Sequence, residues 1–203
     1  MTSGLSDDEA RFIAALRRRD ERAFNALLLR FQDRVYNLIR RLLQSPAEAR
    51  DVTQEVFVSV FEKIESYRGD ASISTWIYRI ATNHAKNRIK YLSRRKDKQS
   101  DSLEAMLVPP TESRLSASIP RPDVAVARER IARLVDRALG QLDEEQRIVV
   151  VLRDVEGQSY EDIAEITGLN LGTVKSRLHR ARLKLKELLG PHLDRQDFGG
   201  EEP

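Results

Sequence analysis

The chain has 203 residues, with 35 lysines and arginines nearly balanced by 32 aspartates and glutamates, for a formal net charge of +3. That length allows one domain or two small ones, each large enough to build a core without covalent staples. There is no cysteine, and the three histidines lack metal-ligand spacing, so disulfides, thiolate zinc sites and direct thiol redox sensing are excluded and neither metal nor cofactor is expected. No apolar run approaches a membrane span, and the opening MTSGLSDDEA does not read as a signal peptide. The expectation is a soluble cytoplasmic protein without membrane insertion.

Ser6 and Glu9 form a capping box for a first helix carrying Phe12, Ile13 and Leu16, and Asp20 can cap a second. In the second helix Phe24, Leu27, Leu28, Phe31, Val35, Leu38, Ile39 and Leu42 recur at helical intervals as far as Ser45. Ser45-Pro46 starts a third helix, the serine as cap and the proline at a position where its missing N–H costs nothing. This helix is expected to run to about Ser66 and to bury Val52, Val56, Phe57, Val60, Phe61 and Ile64. On its other side Asp51, Glu55, Val58 and Glu62 stand at i, i+4, i+7 and i+11 with Gln54 alongside, a valine inside an acidic stripe. Taken by itself the stripe is either a solvated face or a protein-binding face.

YRGDASIS, from Tyr67 to Ser74, is a loop by its glycine, aspartate and serines. The fourth helix, TWIYRIATNHAKNRIKYLSRR, changes phase part way. Ile73, Trp76, Ile77 and Ile80 define one buried side, whereas Ala85, Ile89 and Leu92 point well round from it. A second stripe of Arg79, Asn83, Lys86, Asn87 and Lys90 lines one face. Interleaved cations and amides beside Tyr67 and Trp76 suit nucleic acid with unstacked bases: cations hold phosphates, amides bond base edges and aromatics stack. The plainer reading is a soluble helix face with Trp76 in the core. Residues 96–122 lose all periodicity, and their prolines and serines mark a linker.

The second domain starts near Asp123. Val124, Ile131, Leu134, Val135, Leu139 and Leu142 make one helix, and Asp143 with Gln146 caps the next, which Ile148 to Val155 fills before Gly157 stops it. Ser159 to Leu189 then reads as two helices joined by a tight turn. Ser159 caps the first, Asp162 supplies an acidic capping-box position, Tyr160, Ile163 and Ala164 form its apolar face, and Gly168 ends it. In the second, which begins near Asn170 or Leu171, Val174, Leu178, Ala181 and Leu185 fall in one narrow stripe. Gly172, Ser176 and His179 point outward, flanked by Lys175 and Arg180, with Arg177, Arg182 and Lys184 on the shoulders; Leu183 is an outward apolar exception. This division suits a recognition helix, whose central side chains reach base edges while flanking cations hold phosphates. The bland alternative is a basic surface helix after a similar corner. The tail, 191–203, is expected to fray.

With both halves read, the chain resembles the bacterial alternative sigma factors of the extracytoplasmic function (ECF) type. The resemblance rests on AEARDVTQEVFVSVFEKI and YRGDASISTWIYRIATNHAKNRIK in the first half, and on LDEEQRIVVVLRDVEGQSYEDIAEITGLNLGTVKSRLHRARLKL in the second. It implies an all-α, non-enzymatic protein with a sigma-2 domain at 6–95, a linker at 96–122 and a sigma-4 domain with a helix-turn-helix at 123–190. Its implied partners are the beta and beta-prime subunits of core RNA polymerase, promoter DNA and an anti-sigma factor.

Carried over by residue, the resemblance places the polymerase contact on Asp51, Gln54, Glu55 and Val58. It places Tyr67, Arg68, Gly69, Asp70 and Ser72 around a flipped base of the -10 element. Asn83 and Asn87 then read adjoining bases, with Arg79, Lys86 and Lys90 along the strand. It makes Lys175, Ser176 and Arg180 readers of the -35 element, with Thr173, Arg177, His179 and Arg182 beside them. If the two elements lie roughly one and a half turns apart, or about 50 Å, the linker must be held partly extended, since a relaxed coil of its length spans about 30 Å and a stretched one about 90 Å. A response-regulator-like activator could carry a similar helix-turn-helix. It would need alternating strands and helices in the amino-terminal half, and these are absent from the pattern.

Overall fold

The structure, a computed structural model, describes residues 7–99 and 122–192. All regular structure among them is helical: α1 (Asp7–Arg17), α2 (Glu21–Leu43), α3 (Pro46–Lys63), α4 (Ile73–Gln99), α5 (Pro122–Gly140), α6 (Glu144–Val150), α7 (Tyr160–Thr167) and α8 (Leu171–Leu189), with short 3-10 or π turns at Ile64–Ser66, Val151–Val155 and Gly190–His192. Most of the expected linker, the expected tail beyond His192 and the Ser6 cap lie outside the described residues.

Local chemistry sets the helix starts. Asp20, Ser45, Asp143, Ser159 and Asn170 each stand in extended backbone and accept a hydrogen bond from the amide of the third residue on, satisfying one of the orphan donors of the first turn. The α1–α2 corner turns through Arg19 at φ 59°, and α2 stops at Gln44 in the left-handed region, whose N–H returns to the Arg40 carbonyl. The helix-turn-helix corner is made by Gly168 at φ 72°, where its N–H bonds the Ala164 carbonyl.

Helices α2, α3 and the first half of α4 pack into a three-helix core around Leu27, Phe31, Leu38, Val52, Val56, Val60 and Ile77, all essentially inaccessible to water. In the second half, α6 and its π turn bury Ile148, Val149, Val150, Val151 and Leu152 against Ile163, Val174, Leu178 and Ala181. The wider π turn carries Glu156 N–H back to the Val151 carbonyl at 3.0 Å. Apolar residues of the two halves form one continuous buried cluster, because α4 lies between α2 and α3 on one side and α7 on the other.

That sandwich explains the phase change in α4. Ile73, Trp76 and Ile77 are buried as expected, but so are Thr75, Tyr78, Ala81 and Thr82. Two other expectations are corrected. Phe61 is not a core residue: it is 39% exposed, tilted against Phe24 at 4.6 Å with the Arg19 guanidinium 4.8 Å from its ring. Tyr67 does not offer a stacking face. Its ring is 2% exposed and lies 5.5 Å from Trp76, itself buried.

Candidate polymerase and nucleic-acid interfaces

On α3, Asp51, Gln54 and Glu62 are exposed beside Val58, which is 51% exposed although it stands in the middle of a packed helix. The periodic spacing that buries Val52, Val56 and Val60 turns these residues outward together. Glu55 differs from its neighbours. Its carboxylate is held by Arg88 of α4 at 2.6 Å and lies 3.5 Å from His84 Nδ1, while His84 Nε2 meets the Ser59 hydroxyl at 2.9 Å. Arg88 also bonds Glu48. Partial burial opposes the Arg88 charge, but the two carboxylates outweigh it and hold the guanidinium above its ordinary pKa. The stripe is therefore anchored to α4 at its centre.

The loop before α4 is folded on its own side chains. Tyr67 donates its hydroxyl to the Ala71 carbonyl at 2.6 Å, and Arg17 donates to the Tyr67 carbonyl at 2.5 Å. Burial, ahead of neighbouring carboxylates, raises the Tyr67 phenol above its usual value, so it remains a donor. Ser72 Oγ accepts from the Thr75 amide and so caps α4. Gly69 takes φ 83°, and Arg68 and Asp70 on either side of it are exposed. Along α4, Asn83, Asn87 and Lys90 are exposed and Lys86 is half-buried, as a single stripe requires. Arg79, at its start, is bound 3.6 Å from Glu165 of α7. Tyr91 extends the line one helical turn beyond Asn87 and is 58% exposed. Its place four residues after Asn87 is the signal that marks it, and a stripe drawn through cations and amides alone passes it by.

In the second half, Val174, Leu178 and Ala181 are buried, and Lys175, Ser176, His179 and Arg180 point to solvent from the opposite face of α8. Arg180 has only a long contact, 3.4 Å, to the Ser176 carbonyl, so its side chain is available. Lys175 lies 5.8 Å from the Tyr160 ring. Thr173 is half-buried and its amide is taken by the Asn170 cap. The shoulder arginines are engaged: Arg177 pairs with Glu145 at 2.5 Å, and Arg182 grips both oxygens of Asp154 at 2.5 and 3.1 Å. The hydrogen bond to Asp154 is the main reason that Arg182 is raised above its ordinary pKa. Among the described residues no group of carboxylates, histidines or cysteines is placed to hold a metal ion, and no helix is long and apolar enough to cross a membrane.

Two family descriptions match these halves in order: Sigma-70 region 2 over residues 27–95 and Sigma-70, region 4 over residues 132–185. The chain is 35% identical to the RNA polymerase sigma-H factor of Pseudomonas aeruginosa over 187 residues, 92% of this chain and 96% of that protein. It is 34% identical to the ECF RNA polymerase sigma-E factor of Escherichia coli K12 over 196 residues, 96% of this chain and all of that one. Among solved structures, it resembles a sigma factor RpoE crystallised with the anti-sigma factor NepR from Bartonella quintana, with TM-score 0.66, 25% identity, and coverage of 84% of this chain and 98% of that one. It also shares its fold with CnrH, solved with the cytosolic domain of CnrY, at TM-score 0.64, 24% identity, and coverage of 90% and 97%. Two helical halves, each with an outward cationic stripe and matched in order over nearly the full length of these relatives, establish that the chain belongs to the RNA polymerase sigma factors of the ECF type, the subunits that direct core polymerase to promoters.

Proposed function

We propose that α3 is the polymerase-docking helix, through Asp51, Gln54, Glu55 and Val58, and that the beta and beta-prime subunits receive this chain. The observation that carries this reading is that Val58, 51% exposed, stands with Asp51 and Gln54 on the outward face of α3, while the outward cationic residues divide between two helices, α4 and α8, that share one continuous core. One suits an opened strand and the other a duplex groove. On this reading residues 6–95 act as the sigma-2 unit. The loop residues Arg68, Gly69, Asp70 and Ser72 surround an extruded -10 base, with buried Tyr67 as the strut beneath them rather than a stacking platform. Asn83 and Asn87 read adjacent bases between Arg79, Lys86 and Lys90. Residues 123–190 act as the sigma-4 unit, in which Lys175, Ser176 and Arg180 read the -35 element with His179 beside them on the outward face, while Thr173, Arg177 and Arg182 lie nearer phosphates.

An anti-sigma factor that covers the polymerase-binding surfaces regulates the protein in the cytoplasm. Support comes from the RpoE relative, whose solved structure is a complex with such a partner. The test is reconstitution with bacterial core polymerase on a promoter mapped by overexpression. Expected are co-elution with core, a specific transcript, and permanganate-reactive thymines near -10 only when this chain is present. Sequence-specific binding as a dimer, without affinity for core, would instead indicate a free-standing activator.

A further inference from the structure

The outer face of α4 carries a four-residue repeat. Read as NHAK, NRIK and YLSR, residues 83–94 place Asn83, Asn87 and Tyr91 at the first position of three successive units and Lys86, Lys90 and Arg94 at the last. On an α-helix, residues four apart line up as a ridge, and residues three apart are surface neighbours. The two amides and the tyrosine therefore form one ridge and the three cations the ridge beside it.

Exposure follows the repeat. Asn83, Asn87, Lys90, Tyr91 and Arg94 are exposed and Lys86 is half-buried. Tyr91, at 58%, is the most exposed aromatic side chain among the described residues, and neither its ring nor its hydroxyl has a partner among them. No acidic residue occurs from Lys86 to Arg95, and the three cations of the ridge are unpaired among the described residues. Arg88, off the ridge, is held instead by Glu48 and Glu55 of α3. A lone surface tyrosine is ordinary. One that replaces the amide in the third copy of a cation-backed unit supplies what a single strand needs, a stacking face beside a phosphate partner.

Spacing limits what the ridge can bind. Each unit advances about 6 Å along the axis, four residues at about 1.5 Å, nearly twice the roughly 3.4 Å between stacked nucleotides. One unit per nucleotide thus requires a strand whose bases are drawn apart, and only in such a strand is a base face free to lie on the Tyr91 ring. The chain continues from the end of α4 to the sigma-4 unit, so the ridge leads away from the extruded base on its -35 side.

From this repeat we infer that Tyr91 and Arg94 form a third nucleotide subsite on α4, in which the tyrosine ring stacks on one further unpaired base of the opened promoter strand, upstream of the base that Asn87 reads, while Arg94 holds its phosphate. The inference rests on the -10 reading of α4 proposed above and lengthens it by one nucleotide. Because every base has a π face, the subsite adds affinity for an opened strand without selecting its sequence.

The test uses holoenzyme assembled with core polymerase, on the mapped promoter pre-opened by mismatches across the -10 element. Tyr91→Ala should weaken binding roughly 5- to 150-fold, the loss of one stacked base, by the same factor whichever base occupies the subsite. Tyr91→Phe should bind as wild type. Asn87→Ala should instead relax preference at one position, and the subsite is the next nucleotide upstream. A 2-aminopurine there should be quenched in wild type and Tyr91→Phe but bright in Tyr91→Leu. An abasic nucleotide there should cost wild type the same factor as Tyr91→Ala, and cost Tyr91→Ala nothing more. Arg94→Ala should lower the salt slope by about 0.7.

Undiminished binding by Tyr91→Ala, or a probe equally bright in wild type and Tyr91→Leu at every position, would overturn the subsite; the -10 reading stands in that case if Asn83→Ala and Asn87→Ala still weaken binding. If neither asparagine substitution has an effect, the -10 reading falls and the subsite with it. A loss confined to fully paired promoter, absent on the pre-opened one, would place Tyr91 on duplex and overturn the stacking.

Discussion

Arg180 and Arg182 stand two residues apart on α8, and their surroundings predict different losses on truncation. Arg180 is exposed and holds nothing but a 3.4 Å contact to its own helix, so Arg180→Ala should leave stability unchanged. If it reads a base edge, its removal should cost about 1 to 3 kcal/mol on the preferred -35 sequence, which is roughly 5- to 150-fold in affinity, and relax preference at one or two positions. Arg182 begins in a two-pronged pair with Asp154, side chains 50% and 37% exposed, and must give up that pair to reach a phosphate. An exposed pair is worth only about 0 to 1 kcal/mol, so the exchange is inexpensive, and Arg182→Ala should weaken all sequences alike while lowering the salt slope by about 0.9. Asp154→Asn should have the opposite sign, since it leaves Arg182 free before binding. The assay is anisotropy of holoenzyme with a panel of -35 duplexes between about 50 and 200 mM salt. Equal loss on every duplex for Arg180→Ala and Arg182→Ala would refute the division into reader and holder and reduce α8 to a phosphate clamp.

Val58→Arg should abolish holoenzyme assembly while helicity and melting temperature stay near wild type, because a side chain 51% exposed contributes little to the fold; undiminished affinity for core would remove α3 as the docking helix. Gly168→Ala has open space around the added methyl but forces alanine to φ 72°, so it should cost about 1 kcal/mol or more in denaturant unfolding, and an unchanged midpoint would refute the need for left-handed backbone at this corner. Burial, followed by the hydrogen bond to Glu156, raises the Tyr78 pKa, so its stabilisation is complete below the unfolded value of 10.0 and is lost as pH rises above it. Tyr78→Phe should accordingly flatten the alkaline loss of stability seen in urea titrations, and identical alkaline slopes would contradict the buried contact. Transcription with purified core enzyme should be the same under reducing and oxidising buffers, provided the core enzyme is itself insensitive, because this chain has no thiol to oxidise.

What the sequence determined by itself is local. Caps at Asp20, Ser45, Asp143, Ser159 and Asn170 and the left-handed Gly168 are properties of a few consecutive residues, and 3.6-residue periodicity reports which face of each helix is apolar. The outward placement of Val58 and the buried Val174, Leu178 and Ala181 stripe follow from that periodicity alone. Tertiary structure decided what each face meets. Tyr78 finds Glu156 across 78 residues and Thr75 finds Asp162 across 87, separations over which no periodic signal survives. For the same reason the engagement of Arg79, Arg177 and Arg182 by acids, the anchoring of Glu55 by Arg88, and the displacement of Phe61 from the core onto Phe24 and Arg19 could not be read from spacing. A charged side chain looks the same in sequence whether water or a carboxylate faces it, and only the fold supplies the partner.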